Sequence, residues 1–390
     1  MNLDELISII ERLKNYIISE KYAGYDPYDV LSSPIFKLPI LRNNRLIRFS
    51  SQQIFRRIPF NLRPLLGIKK EINPVTLGLC IQAYSYLSDI FKEKREFYKK
   101  EIGNCIDKLI ELSSKGYSGY CWGYNFDWEA RYAKISAYTP TIVATGIITN
   151  SLYEYYKFSK DKKVIEIIID STKFVLNDLK RTYNNGSFCF SYSPNDNQIV
   201  FNATMKAARL LAQAYNLNGD IILKNEAQKT IEFVLKYQKE DGSWTYSEGD
   251  KRNWVDNFHT AYVLDSLIVC NDIFENIYEL QLKKGLKYYI STFFNEQGEA
   301  KYYSNNKYPI DSTAVAQSII TLLNTGYIEL ANKVVHYGIK NLWSKKNHFF
   351  YRKHKFFTDK TSYQRWSNAW MLVALSFLLL KNTSLNNDLD

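Results

Sequence analysis

The segment Tyr120-Cys121-Trp122-Gly123-Tyr124-Asn125-Phe126-Asp127-Trp128-Glu129-Ala130-Arg131-Tyr132 gathers two carboxylates, a guanidinium and several aromatic rings. Asp127 and Glu129 are of the type that serves as general acid and base, and Arg131 could grip a substrate carboxylate through two parallel hydrogen bonds. The same residues could equally knit an Asp/Glu–Arg network that fixes a long loop. A second cluster, Trp254-Val255-Asp256-Asn257-Phe258-His259, holds the one histidine at the start of an apolar helix-like run. Its neutral form could act as a base near pH 7. Asp256 suits a helix N-cap better than catalysis, and the same reading applies to Asp311 and Asn202.

Two chemistries fit these residue types. Proton abstraction beside a uronate carboxylate needs a base, an acid on the opposite face and a cation that stabilises enediolate-like charge. Tyr192, Tyr246, Tyr303 and Tyr363 supply phenols from the loops, and Arg131, Arg252, Arg352 and Arg365 supply cations. Glycoside hydrolysis instead needs two carboxylates separated by ~5 Å or roughly 6.5–9.5 Å. Asp127 paired with Asp256 or Asp311 could provide them, and the sequence does not choose. Tyr120, Trp122, Tyr124, Trp128, Trp244, Tyr246 and Trp254 could wall a trough for sugar rings or isoprenoid chains, or simply pack the rim of the fold. Arg365 and Asn368 flank the start of the last apolar run. His348 and His354 lie in a Lys- and Arg-rich loop without carboxylates at ligand spacing, so no metal is expected. No GxGxxG, Walker A, GxSxG or HExxH pattern occurs in a suitable context, and no cofactor is expected.

The elements that must position these groups recur. Apolar runs begin near Thr76, Thr141, Thr204, Thr260, Thr313 and Ala369, at steps of 65, 63, 56, 53 and 56 residues. Each step is too long for one helix and suits a helical hairpin plus a loop. The runs 77–90, 142–156, 205–215, 261–273, 314–325 and 370–380 are apolar around most of their circumference, as helices buried on several sides are. The segments 95–113, 162–179, 223–237, 279–293 and 329–343 are amphipathic and read as outer helices. Leu3–Ser19 supplies a sixth outer partner. Six hairpins predict an all-α (α/α)6 toroid, with an open superhelix as the alternative; closure hides the apolar end faces that an open solenoid would have to cap. Turn glycines followed by alternating aromatics, as in Gly242-Ser243-Trp244-Thr245-Tyr246, predict short β-like hairpins at one mouth. One domain is expected over 1–383, with 26–70 inserted across the ring and 384–390 forming a flexible tail.

The formal charge of +11 is uneven. Between Val30 and Lys70 no residue is acidic, whereas Lys37, Arg42, Arg45, Arg48, Arg56, Arg57, Arg63, Lys69 and Lys70 are basic. An acidic polysaccharide or lipid-linked oligosaccharide, and a peripheral contact with an anionic membrane surface through 37–70, are the partners this pattern suggests. Nucleic acid ranks last, because no recognised binding motif accompanies the charge. The oligomeric state is left open. The run Ala369–Leu380 is too short to span a bilayer, which needs about 20 residues. No secretory signal is evident, and five scattered cysteines suit a reducing compartment, so a cytoplasmic protein, peripheral to the inner face of the membrane, is expected.

Three resemblances extend this reading. Phe233-Val234-Leu235-Lys236-Tyr237-Gln238-Lys239-Glu240-Asp241-Gly242-Ser243-Trp244 resembles the Gln-Trp repeat of squalene cyclases and prenyltransferase-like toroids, in which the Gln caps a helix and stacks on the Trp. The order Phe190-Ser191-Tyr192-Ser193-Pro194, Val200-Phe201-Asn202 and the pair Arg365-Trp366 are similar to the helical domain of glucuronyl C5-epimerases. Tyr25-Asp26-Pro27-Tyr28-Asp29 resembles proteins encoded with bacterial surface-polysaccharide enzymes. These resemblances imply a toroid and a carbohydrate-active enzyme of cell-surface polysaccharide assembly or modification, with a uronate epimerase or lyase as the leading expectation. A glycoside hydrolase, a non-catalytic glycan-binding scaffold and a terpenoid or prenyl enzyme are the alternatives; the loop arginines weigh against the last.

Overall fold

The computed structural model describes residues 2–130 and 133–387. Its helices, in chain order, are α1 (Leu3–Ser19), α2 (Pro39–Asn43), α3 (Arg45–Phe55), α4 (Pro74–Ile90), α5 (Arg95–Glu111), α6 (Ile142–Ser159) and α7 (Lys162–Asn177). They continue with α8 (Phe201–Asn218), α9 (Ile221–Leu235), α10 (Asn257–Ile273), α11 (Glu279–Phe293), α12 (Ser312–Asn324), α13 (Ile328–Leu342) and α14 (Ala369–Asn387). The inner wall runs α4–α6–α8–α10–α12–α14, each helix packed on the next, and α14 returns to α4. The ring is closed, as the six-fold period predicts. Outside it, α5, α7, α9, α11 and α13 each pack on the inner helix that precedes them. The exception is α1, which covers α14, so the first helix of the chain completes the last hairpin.

Local chemistry fixes where the inner helices begin. The side chains of Asn73, Thr141, Asp256 and Asp311 accept hydrogen bonds from backbone N–H groups in the first turns of α4, α6, α10 and α12. Asn202 does not cap α8; that helix starts one residue earlier, after Val200, without a side-chain cap. A single π-helical stretch, Gln364–Asn368, precedes α14. Between α6 and α8 the approach is close at Gly146, where a Cβ would lie 2.8 Å from the Cβ of Lys206. α14 runs to Asn387, past the boundary near Thr383 beyond which a tail was expected.

Short antiparallel ladders knit the connecting loops: β3 (Trp128–Glu129) with β4 (Lys134–Ile135), β5 (Arg181–Asn184) with β6 (Ser187–Phe190), and β7 (Ile199–Val200) with β8 (Ser247–Glu248). A three-stranded sheet sets β10 (Arg352–Lys353) between β9 (Ile310–Asp311) and β11 (Thr358–Asp359). β1 (Ala23–Gly24) pairs with β2 (Glu71–Ile72) and closes the neck of the basic insertion. The insertion has its own small core of Val30, Leu31, Phe55 and Ile68. Arg63 pins it, with Nε 2.7 Å from Asp29 Oδ1 and Nη2 2.6 Å from the Asp26 carbonyl. Among the described residues, no helix is long and apolar enough to cross a membrane.

Candidate active site

The loops ahead of the inner helices enclose a cavity of about 430 Å³, and the insertion forms part of its wall. One side is cationic. Arg352 Nε lies 2.5 Å from Asp311 Oδ2, and its Nη2 donates to the Tyr302 hydroxyl at 2.9 Å. Arg365 Nε lies 2.5 Å from Asp26 Oδ2, with the guanidinium 4.7 Å from the centre of the Tyr124 ring. Arg252 is clamped on Asp250, with Nη2 2.6 Å from Oδ2. Arg56 donates to the Tyr28 hydroxyl at 2.7 Å. All four line the cavity. Each is held from behind by a carboxylate or a phenol, which leaves a fixed positive wall rather than flexible surface charge.

The base candidate stands on the same cavity. His259 Nδ1 lies 2.7 Å from Asp256 Oδ2, which also accepts from Trp254 Nε1 at 2.9 Å. Asp256 Oδ1 accepts the His259 backbone N–H at 2.9 Å. One buried carboxylate thus starts α10, holds the indole and orients the imidazole. A carboxylate at Nδ1 favours the tautomer with its proton there, which leaves Nε2 as the basic nitrogen. Asp311 repeats the device one hairpin later: Oδ1 caps α12, while Oδ2 takes Arg352 and Trp366 Nε1 at 3.1 Å.

Phenols surround the dyad. Tyr28, Tyr124, Tyr192, Tyr246, Tyr302 and Tyr303 all line the cavity. Burial raises the pKa of Tyr124, Tyr192, Tyr246 and Tyr303 above the usual phenol value, so they are proton donors at neutral pH rather than phenolate bases. Asn202 Oδ1 is buried without a hydrogen-bond partner and lies on the same wall, an acceptor that a sugar hydroxyl would satisfy. Under the floor formed by Tyr262, Lys206 Nζ sits 3.8 Å from that ring's centre, and burial, followed by neighbouring Arg209, lowers its pKa well below the usual lysine value.

The structure therefore brings together Glu129, Asp256, His259, Tyr192 and Tyr303 with Tyr124, Trp128, Tyr246, Arg252, Trp254, Arg352 and Arg365. Others expected at the site stand elsewhere. Asp127 Oδ1 accepts the Ala137 N–H at 2.9 Å and braces its own loop off the cavity wall. Trp122 and Trp244 are core residues, with Nε1 bonded to the carbonyls of Leu109 and Val234; Trp244 also borders a water-sized pocket behind His259. Tyr120 stacks on Trp122 outside the cavity. Tyr363 is buried against Arg63, and Asn368 caps the Phe349 N–H and bonds Ser362. Asp311 acts behind Arg352 rather than on the wall. Arg131 lies outside the described residues.

Glu129 is on the wall but ion-paired: Arg48 Nη2 lies 2.7 Å and Arg45 Nε 3.4 Å from its carboxylate. Both partners come from the insertion, so this carboxylate ties the loop to the insertion. Tyr28, Arg56 and Trp366 line the cavity without having been expected there. Tyr28 and Arg56 come from the insertion; Trp366 lies in the π-helical stretch, a feature common near functional sites.

No family model matches the chain, and no curated protein matches it. Solved structures do. A possible member of the GH105 family from Salmonella enterica serovar Paratyphi A is 12% identical with a TM-score of 0.62, covering 98% of this chain and 95% of that one. Cellobiose 2-epimerase from Bacillus thermoamylovorans is 10% identical with a TM-score of 0.62, over 80% of this chain and 88% of that one. A GH76 α-mannanase from Bacteroides thetaiotaomicron is 13% identical with a TM-score of 0.57, over 80% and 87%. The fold is an α/α toroid, the architecture these solved carbohydrate-active enzymes share. At these identities the likeness reaches the architecture and no further.

Proposed function

We propose that this protein is an enzyme that acts on an acidic, uronate-containing glycan by moving the proton on the carbon next to the carboxylate, as an epimerase or a lyase. The observation that carries the reading is the His259–Asp256 pair set on a cavity with four fixed arginines. The uronate carboxylate would lie against Arg352 and Arg365. His259 Nε2 would take the C5 proton, and the electron pair left by the C–H bond would move into the carboxylate, where the guanidiniums stabilise it. Asp256 would hold the tautomer and then stabilise the imidazolium. From this intermediate two outcomes balance. A half-buried phenol of the cavity wall such as Tyr303 could return a proton to C5 on the face opposite His259, which inverts the centre. Alternatively, the C4–O bond could break as C4=C5 forms, with the phenol protonating the leaving oxygen.

The wall carboxylates support this over hydrolysis, because Glu129 and Asp256 are each committed to a cation or a ring N–H. The likeness of 190–202 and Arg365-Trp366 to glucuronyl C5-epimerases supports the uronate, and that of Tyr25–Asp29 supports a place in cell-surface polysaccharide assembly. Incubation with uronate glycans in deuterated water tests the reading. Deuterium at C5, or ultraviolet absorbance from an unsaturated uronate, is expected from the native protein and not from His259→Ala. Glycan binding without either signal would make the protein a binding scaffold instead.

A further inference from the structure

The insertion that walls the cavity has an outer face unlike the rest of the surface. Leu38, Ile40, Leu46, Ile54, Phe60 and Leu65 are each between 57% and 83% exposed. Exposed apolar side chains scattered singly are ordinary, but six within one short segment are not. Lys37, Arg42, Arg57 and Lys69 are exposed among them, and no acidic residue lies between Val30 and Lys70. The inward side of the same segment is used otherwise: Phe55 and Ile68 fill its small core, while Phe49, Gln53 and Arg56 reach the cavity, and exposed Arg57 stands at the boundary between the two faces.

A second exposed apolar tip stands on a hairpin rooted at the cavity wall. The turn between β10 and β11 carries Phe356, 88% exposed, and Phe357, 43% exposed, beside exposed Lys355 and Lys360. The base of this hairpin is Arg352, on the cavity wall. Two separate chain segments, each of which also contributes to the cavity wall, thus present apolar tips and basic residues to solvent.

We propose that this rim docks the protein on a membrane surface rich in anionic lipid, with the cavity mouth close to the bilayer. Interfacial binding requires apolar side chains that enter the acyl boundary and cations that meet the headgroups, and both segments supply both. A protein interface depletes lysine and gathers apolar groups at its centre; here basic and apolar residues alternate along the chain. Docking is independent of the reaction proposed above, so its test needs no substrate.

The test is co-sedimentation of the full-length protein with vesicles of phosphatidylglycerol mixed with phosphatidylcholine, and with phosphatidylcholine alone. The native chain partitions at least about tenfold better onto the anionic vesicles, and added salt weakens it. Reversing Lys37 and Arg42 to Glu lowers binding by roughly 25-fold or more, from about fivefold per basic residue near the surface. Ile40→Asp with Leu65→Asp, and Phe356→Asp alone, each weaken binding while leaving the thermal midpoint unchanged, because these side chains touch little in the folded chain. Equal partition onto neutral and anionic vesicles, absence of binding, or full binding by all three variants would overturn the proposal. Capture by heparin without capture by vesicles would reassign the rim to a soluble polyanion and overturn it equally.

Discussion

Replacing Asp256 with asparagine separates the structural and chemical roles of one side chain. Asp256 Oδ1 caps α10 through the His259 N–H at 2.9 Å, and asparagine caps about as well as aspartate, so that contribution survives. Oδ2 faces two ring N–H donors, His259 Nδ1 at 2.7 Å and Trp254 Nε1 at 2.9 Å. An amide NH2 placed there offers hydrogens to both. The imidazole adapts by moving its proton to Nε2, whereas the indole cannot; Trp254 is 37% exposed, so water can take over its N–H and the loss is the net worth of one hydrogen bond, about 0.5–1.5 kcal/mol. Asp256→Ala loses the cap as well, a further ~1 kcal/mol. The Asp256→Asn protein should therefore unfold at an intermediate denaturant concentration, between the native chain and the Asp256→Ala protein. Activity should fall much more steeply. With Nε2 protonated, the basic nitrogen faces away from the cavity, and a tautomer reversal of this kind costs about 10⁴ in turnover where it has been isolated in a catalytic triad. Denaturant titration and deuterium exchange at C5 measure the two effects. Retention of more than a third of native turnover by Asp256→Asn would refute His259 as the base. Equal stability of the two substituted proteins would refute the cap.

Other perturbations probe the frame around that pair. Arg63→Ala leaves Asp29 buried without its cation, a loss of about 3–5 kcal/mol; the expected result is protease cleavage confined to 30–70 while the ring stays intact. Gly146→Ala places a Cβ 2.8 Å from that of Lys206, and the overpacking, about 1–3 kcal/mol, should exceed the ~1 kcal/mol gained in helix propensity, lowering the melting temperature. His348, packed on Tyr16 and Phe350, has its pKa lowered by burial. Its folded pKa lies below the unfolded value, so its contribution is complete above the unfolded pKa near ~6.5 and is lost as pH falls through the folded one. His348→Gln should flatten the loss of stability measured between neutral and mildly acidic pH.

The architecture was legible because it is written in period and polarity. Caps such as Thr141 and Asp311 stand where the apolar runs begin, and the period already requires α1 to close the ring on α14. The site was legible only in part, and the errors share a cause. Aromatic residues that alternate along a loop look alike in sequence, yet Trp122 and Trp244 turn inward to bond helix carbonyls while Trp128 and Trp254 face the cavity. The choice depends on which carbonyl the indole can reach, and that is a tertiary fact. Charge was legible as a run and not residue by residue. Arg56 stands in a basic run that suggests anionic partners, but only the folding of the insertion turns it toward the cavity and leaves Lys37 and Arg42 outside. The inner helices hide a further surprise: Lys206, Arg209, Asp265 and Gln317 are buried within runs that are otherwise apolar.

The placement of Asp256 and Asp311 explains why a cap reading and a site reading need not compete. A helix N-terminus wants one carboxylate oxygen, which leaves the other to face the loop. In a toroid every such terminus points at the same mouth, so a capping aspartate keeps its second oxygen free to hold a group on or just behind the cavity wall. What that oxygen holds then sets the local chemistry: an imidazole on α10, a guanidinium brought by β10 on α12. The four other inner helices begin at the same rim with Asn73, Thr141, Val200 and the π-helical stretch, none of which supplies a capping carboxylate. The imidazole and one of the wall cations therefore sit on adjacent hairpins, on the two inner helices capped by a carboxylate, whereas Arg365 is held by Asp26 of the insertion. Exchanging the caps tests this directly: Asp311→Asn should keep α12 intact yet weaken the hold on Arg352, raising KM for an acidic glycan more than it lowers kcat, whereas Asp256→Asn should do the reverse.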